Sequence, residues 1–200
     1  MFQSYEIPNF LSDIDLLFIE DKKNDPATYI ANNGKKLNLY QIDLPLQIKE
    51  KLSKFGTIVK SEVYELEQPY RIHNDTRNEQ QSAWTCIIPL DPEPQGGVTV
   101  FNQYAYNFSY SLDPYYSSNY NKVLPLHKRQ EIIYEYDSEK SLPNYPEFSH
   151  IRDEDKIGFT VAKQFQFEFN KLVAFPSIYF HCSNNVENFR SKSSLVIFTV

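Results

Sequence analysis

The sequence predicts an all-β core with flanking helices, a sandwich or barrel rather than a doubly wound sheet. Short apolar segments, alternating or β-branched, recur between residues 58 and 102 and again between 159 and 200. The breaks between them are turn chemistry: Gln68-Pro69, Asp91-Pro92-Glu93-Pro94-Gln95 and Asn170-Lys171. No strand–helix alternation is present that would build a parallel sheet.

Met1 to Phe10 lacks a basic stretch followed by an apolar run, so no signal peptide is expected. Between Pro8 and Lys23 a cap candidate, Ser12, precedes Ile14, Leu16, Leu17 and Phe18, a spacing that fits a short helix or a buried strand. Asn24 to Lys36 is turn-rich, with Asp25-Pro26 and Asn32-Asn33-Gly34 as breakers. Residues 45–55 read as a helix: Leu46, Ile48, Leu52 and Phe55 make a stripe, Pro45 suits its first turn and Gly56 stops it. That helix is expected on the outside of a sheet, within an N-terminal supporting region, residues 1–55.

Ile58 to Leu66 alternates as a strand, and Tyr70 to His73 starts the next. Strands are expected at 84–90 and 97–102. Residues about 103–157 read as an insertion holding nine of the 15 tyrosines, with a charged helical segment at Leu126–Tyr136. It suits either a cover packed over one side of the barrel or a lid over a site. Strands resume at Phe159–Val161, Phe165–Phe169, Leu172–Phe175 and Tyr179–Cys182, and Ser194 to Val200 is the last.

A chain of 200 residues, 41% hydrophobic and 16% aromatic, is expected to form a single domain with a substantial core. Five glycines leave little supply for a phosphate-cradling loop, and a net charge of -6 disfavours a general nucleic-acid surface. Cys86 and Cys182 cannot build a disulfide framework or a multi-cysteine zinc site, and are expected as buried, reduced thiols in a cytoplasmic protein. No apolar stretch has the length of a membrane span.

The chemistry-bearing stretch is Ile72-His73-Asn74-Asp75. An imidazole and a carboxylate two residues apart can share one metal ion. A second imidazole from a distant strand, His181, would complete a two-His-one-carboxylate face with three positions left open. The order of the downstream segments sharpens this: Trp84-Thr85-Cys86-Ile87-Ile88-Pro89-Leu90, Gly96-Gly97-Val98-Thr99-Val100-Phe101, Leu172-Val173-Ala174-Phe175-Pro176-Ser177, His181, Arg190, and an apolar strand to the end. The series resembles the iron(II)- and 2-oxoglutarate-dependent dioxygenases, most closely their prolyl-4-hydroxylase-like branch, over roughly residues 56–200.

The resemblance implies a double-stranded β-helix (jelly roll, cupin-like). It implies an oxidoreductase that couples decarboxylation of 2-oxoglutarate to C–H hydroxylation of a peptide, amino acid or small metabolite, using Fe(II) and O2. By position it makes His73, Asp75 and His181 the iron ligands and Arg190 the anchor for the far carboxylate of 2-oxoglutarate. The family's basic-x-hydroxyl wording is also met by Lys192-Ser193-Ser194-Leu195, and in an extended strand 190, 192 and 194 share a face. Arg190 is preferred for bidentate geometry, with Lys192 as the alternative. The tyrosine that close relatives carry on strand 84–90 is absent, which makes Thr85, Thr99 and Tyr70 candidates for its role.

Two other readings stay open: a non-catalytic jelly-roll binding or structural protein, and a cupin-type metal enzyme that does not use 2-oxoglutarate. The cupin reading usually brings H-x-H, which this chain lacks. His127, His150 and the run Asp153-Glu154-Asp155 are expected to be solvated. The expected partners are a small-molecule or peptide substrate and O2, not membrane or nucleic acid; a homo-oligomer is left open.

Overall fold

Ser12 decides the ambiguous first segment in favour of a helix. Its hydroxyl accepts from the Asp15 N–H at 3.2 Å, and the Asp15 carboxylate accepts from the Ser12 N–H at 2.9 Å, a reciprocal cap that satisfies two otherwise orphaned donors. The computed structural model describes residues 2–32, 37–66, 68–76, 84–113, 121–185 and 192–200. In chain order these form β1 (Tyr5–Ile7), α1 (Asp13–Lys23), β2 (Tyr29–Asn32), β3 (Leu37–Gln41), α2 (Leu46–Leu52), β4 (Ile58–Leu66), β5 (Trp84–Pro89), β6 (Gly97–Tyr104) and β7 (Ser109–Ser111). There follow β8 (Asn121–Val123), α3 (Arg129–Ile132), β9 (Asp137–Ser141), α4 (Asp153–Lys156), β10 (Ile157–Gly158), β11 (Val161–Gln166), β12 (Leu172–Pro176), β13 (Tyr179–Ser183) and β14 (Lys192–Thr199). Pro45 caps α2, a 3-10 turn extends it to Phe55, and Gly56 ends it at φ +111°. A Cβ at Gly56 would lie 2.3 Å from the Val200 carbonyl oxygen, so only glycine fits.

The architecture is mainly β, with antiparallel sheets and flanking helices. The larger sheet runs β1-β12-β5-β14-β4-β3-β2, and a smaller one runs β11-β6-β13. His73 extends the β13 edge by a bridge to His181, and a second bridge links it to Ser111 of β7. The strand expected at Tyr70–His73 is thus a single rung.

Period-two alternation divides the larger sheet into two faces. Cys86, Ile88, Leu195 and Ile197 point outward and bury against Ile19, Ile48, Leu52 and Phe55, so the residue 45–55 helix sits outside the sheet. Thr85, Ile87, Ser194 and Val196 point inward toward Val98, His181 and Ser183 of the smaller sheet. Beside them Val98, Val100, Phe165, Val173 and Phe175 fill the space between the sheets.

The described part of 103–157 packs on the outer face of the smaller sheet, where Leu112, Leu124, Ile133, Leu142 and Phe148 bury Phe101, Phe180 and Cys182. Tyr115, Tyr116 and Tyr120 lie outside the described residues. Three expectations are corrected here. The helix over Leu126–Tyr136 shrinks to a 3-10 turn and Arg129–Ile132, because Tyr134 leaves it to donate its N–H to the Tyr104 carbonyl at 2.9 Å. Asp155 is buried rather than solvated, held by Arg129 at 2.5 Å and Arg152 at 2.7 Å. His150 is largely withdrawn from solvent and bonds Tyr70. His127 is exposed. Both cysteines are free and buried, and burial pushes both thiols up. Among the described residues, no helix is long and apolar enough to cross a membrane.

Candidate metal centre

A reciprocal backbone pair sets two imidazoles side by side. The His73 N–H donates to the His181 carbonyl at 3.0 Å, the His181 N–H returns the bond at 2.8 Å, and the ring centroids stand 4.3 Å apart. Each ring is fixed by its own strand: Nδ1 of His73 donates to the Arg71 carbonyl at 2.8 Å, and Nδ1 of His181 to the Tyr179 carbonyl at 3.2 Å. A proton on each Nδ1 leaves the Nε2 lone pair for a metal. Both Nε2 atoms face Asp75, at 3.8 Å from Oδ1 for His73 and 3.3 Å from Oδ2 for His181. The three donor atoms lie within 4.8 Å of one another.

Asp75 is fixed from both ends. Its N–H donates to the Ser177 carbonyl at 3.1 Å, and Thr85 Oγ1 donates to its Oδ2 at 3.0 Å while contacting Ser177 Oγ at 2.8 Å. Asn74, between the two ligands, is fully buried; its side chain accepts from the Tyr110 N–H at 2.6 Å and donates to the carbonyls of Ala105 and Phe108, both at 3.3 Å. Nothing in the sequence beyond its place between the ligands marked this residue as the pin between motif and insertion.

The electrostatics suit a cation. Burial pushes His73 down to about 4, with His181 adding to the shift and Asp75 opposing it. Burial works to raise the Asp75 carboxyl, but His181, His73 and the Thr85 bond together hold it well below the usual range. At neutral pH the cluster therefore offers a neutral His73 and an ionised Asp75, the forms that bind a divalent metal. The Thr85 bond carries a prediction. Thr85→Val should weaken Mn(II) binding about 10–100-fold, as loss of an outer partner typically does, and Thr85→Ser should restore it. Equal affinities in a calorimetric titration of the three proteins would remove Thr85 from the site.

The cluster opens on a cavity of about 90 Å³ between the sheets, lined also by Tyr64, Tyr70, Ile87, Val98, Lys192 and Ser194. Lys192 is buried, donates to Ser183 Oγ at 3.1 Å and stands 4.8 Å from the Phe167 ring centre; burial pushes it down to about 8. Ser194 lies on the same strand face, and its buried hydroxyl meets no hydrogen-bond partner among the described residues. Arg190 lies outside the described residues. Thr99 is not brought to the cavity: it faces away from its neighbour Val98 and donates to Asn184 Oδ1 at 2.6 Å. Tyr70 is on the wall, its ring 5.4 Å from that of His73. Its carbonyl accepts from the Ser183 N–H and from His150 Nε2, both at 3.1 Å, so the insertion braces this wall directly. Sequence reasoning passed over Tyr64 and Ser183, whose only signal is strand parity.

No family model matches the sequence, and a search of curated proteins finds no match. Solved structures do match the fold. A 2OG-Fe(II) oxygenase family oxidoreductase from Burkholderia pseudomallei aligns with a TM-score of 0.52 at 11% identity, covering 98% of this chain and 82% of the other. A prolyl hydroxylase from Trichoplax adhaerens, in complex with a hypoxia inducible factor peptide fragment, gives the same four values: 0.52, 11%, 98% and 82%. The non-heme α-ketoglutarate dependent epimerase SnoN from nogalamycin biosynthesis aligns at 0.51 and 10% identity, over 98% and 78% of the two chains. The chain thus shares its fold with solved 2OG-Fe(II) oxygenases, a prolyl hydroxylase among them.

Proposed function

We propose that the chain is an Fe(II)- and 2-oxoglutarate-dependent oxygenase that hydroxylates a C–H bond of a peptide, amino acid or small metabolite. One observation carries the reading. Two imidazole Nε2 atoms and one carboxylate converge on a cavity that also holds a buried lysine and a serine hydroxyl with no partner among the described residues. We read the facing sheets as a double-stranded β-helix, β12-β5-β14-β4 over β11-β6-β13 with His73 as the eighth position.

The donor set fits Fe(II). His73 and His181 would hold the ion through Nε2 and Asp75 through one oxygen, while Thr85 holds the other. Three ligands on one face leave room for a bidentate oxo acid and for O2. When bound, iron and 2-oxoglutarate supply oxidising power: the oxo acid and O2 yield succinate and CO2, and one oxygen atom reaches the substrate. Lys192 would pair with the far carboxylate, and Ser194, on the same strand face, would donate a hydrogen bond to it. Such a pair offsets the cost of burying that charge. Ile87, Val98, Val196 and Phe198 form the apolar wall of the cavity and limit water there. The cavity of about 90 Å³ is narrow, which suits a small dicarboxylic acid.

The test is uncoupled turnover: purified protein with Fe(II), 2-oxoglutarate and O2 should release succinate without added substrate, and chelator should stop it. Stoichiometric iron binding with no consumption of 2-oxoglutarate would point to a different metal enzyme. Absence of both would leave a binding protein.

A further inference from the structure

Beside the metal cluster the rim carries an aromatic shelf that the proposed chemistry does not use. Tyr104 and Tyr134 stack at 5.2 Å with planes 6° apart, and Tyr106 stands across both, at 5.4 Å and 78° from Tyr104 and 5.2 Å and 73° from Tyr134. Tyr179 adds a fourth ring 5.5 Å from Tyr104. Tyr106 is 38% exposed and Tyr134 53%, so part of each residue remains open to solvent after the cluster has packed on itself.

Tyr179 links the shelf to the metal cluster. Tyr179 is two residues before His181 and packs in the apolar cluster of Phe175, whose ring is 4.8 Å from the His181 imidazole. The turn just before Tyr179 contributes the Ser177 carbonyl that accepts from Asp75.

The backbone here is built to hold one group in place. Glu135, next to the most exposed ring, is solvent-facing and sits at φ +59°, where residues with side chains seldom go. Its carbonyl accepts from Gln103 Nε2 at 2.8 Å, and the buried Gln103 is itself fixed by the Thr160 N–H at 2.9 Å. Such a conformation persists only when its surroundings over-determine it. Glu135 directly follows Tyr134 in the chain, and after burial and the adjacent Tyr106 its charge is the next influence that pushes the phenols of Tyr104 and Tyr179 up.

Resting on the oxygenase reading, we propose that Tyr104, Tyr106, Tyr134 and Glu135 form a docking shelf for an arginine side chain of a polypeptide substrate. Ring faces attract cations through their quadrupole, guanidinium stacks on them and also pairs with a carboxylate, and no other side chain uses both features as well. The chain's net charge of -6 favours a basic segment in the same sense, and repels a polyphosphate backbone. A polypeptide is the class of substrate that can hold one residue on the shelf while presenting another to the metal cluster.

The test uses the full chain loaded with Mn(II) and 2-oxoglutarate, and fluorescence anisotropy of a labelled peptide alternating arginine and glycine. Its lysine and glutamate counterparts and a maltooligosaccharide serve as competitors. The arginine peptide should bind best, lysine less well and glutamate not at all. Tyr106→Ala with Tyr134→Ala should weaken it about tenfold; Tyr134→Phe, which keeps the ring face, should not, and Glu135→Gln should weaken it several-fold. Mn(II) and 2-oxoglutarate binding should be unchanged in every variant. Equal binding of arginine and glutamate peptides would overturn the shelf. So would full affinity in the double alanine variant, or preferential displacement by the sugar. A parent protein that binds the peptide through these rings yet never consumes 2-oxoglutarate would overturn the oxygenase reading and leave the shelf standing.

Discussion

Asp75→Ala is expected to abolish stoichiometric Fe(II) and Mn(II) binding, and His73→Ala and His181→Ala should do the same. The carboxylate is the cluster's only anionic donor, and its two oxygens face the two Nε2 atoms at 3.8 and 3.3 Å. Without it, two neutral imidazoles must compete with water for a hard divalent ion, a contest they lose for Fe(II) and Mn(II) low in the affinity order. The loss should exceed the roughly 10–100-fold expected for the outer partner Thr85. Anaerobic calorimetry reads this directly and does not depend on any substrate. The variants should stay folded, because the His73–His181 pairing is made by backbone atoms. Retention of one metal per chain by both histidine variants would show that the ion, if bound, sits elsewhere.

Much of this arrangement could be read from short-range pattern. The two-residue spacing of His73 and Asp75 works because His73 sits on a backbone rung and Asp75 lies just beyond it, where Ser177 receives its N–H. Alternation within the expected strand 84–90 could separate Thr85 and Ile87 from Cys86 and Ile88, and it placed Lys192 and Ser194 on one face. The capping box at Ser12 and Asp15 was present as S-x-x-D and could have resolved the first helix. What local pattern missed depends on distant partners. Asp155 is buried because Arg129, 26 residues earlier, meets it. His150 is drawn in by the Tyr70 carbonyl 80 residues away. Thr99 and Val98 are adjacent in a strand that the sequence had right, but the alternation alone could not say which of them faces the cavity. The segment after Arg129 has a helical charge pattern, yet the bond from Tyr134 to Tyr104 pulls it out straight.

Lys192→Ala should leave metal binding intact and weaken 2-oxoglutarate severely. A buried charge that loses its partner costs on the order of 3–5 kcal/mol, which is at least about a hundredfold in affinity. The lysine also makes the binding pH-dependent, with a definite sign. Burial pushes it down to about 8 in the unliganded protein. The dianionic cosubstrate binds the protonated form. Below pH 8 the proton is already present and affinity should be level. Above it, binding must first recruit a proton, so affinity should fall about tenfold per pH unit until the raised lysine pKa of the complex is reached. Lys192→Arg, which does not titrate in this range, should show a level profile through the same window. Both profiles can be measured on the Mn(II)-loaded protein by calorimetry without turnover. Arg190→Ala is the discriminating control, since the family resemblance makes Arg190 the other basic candidate for the anchor. If Arg190→Ala destroys 2-oxoglutarate binding while Lys192→Ala leaves it whole and the parent profile stays level through pH 8, the anchor belongs two residues earlier. The buried lysine would then serve the fold, through its bond to Ser183 and its contact with the Phe167 ring.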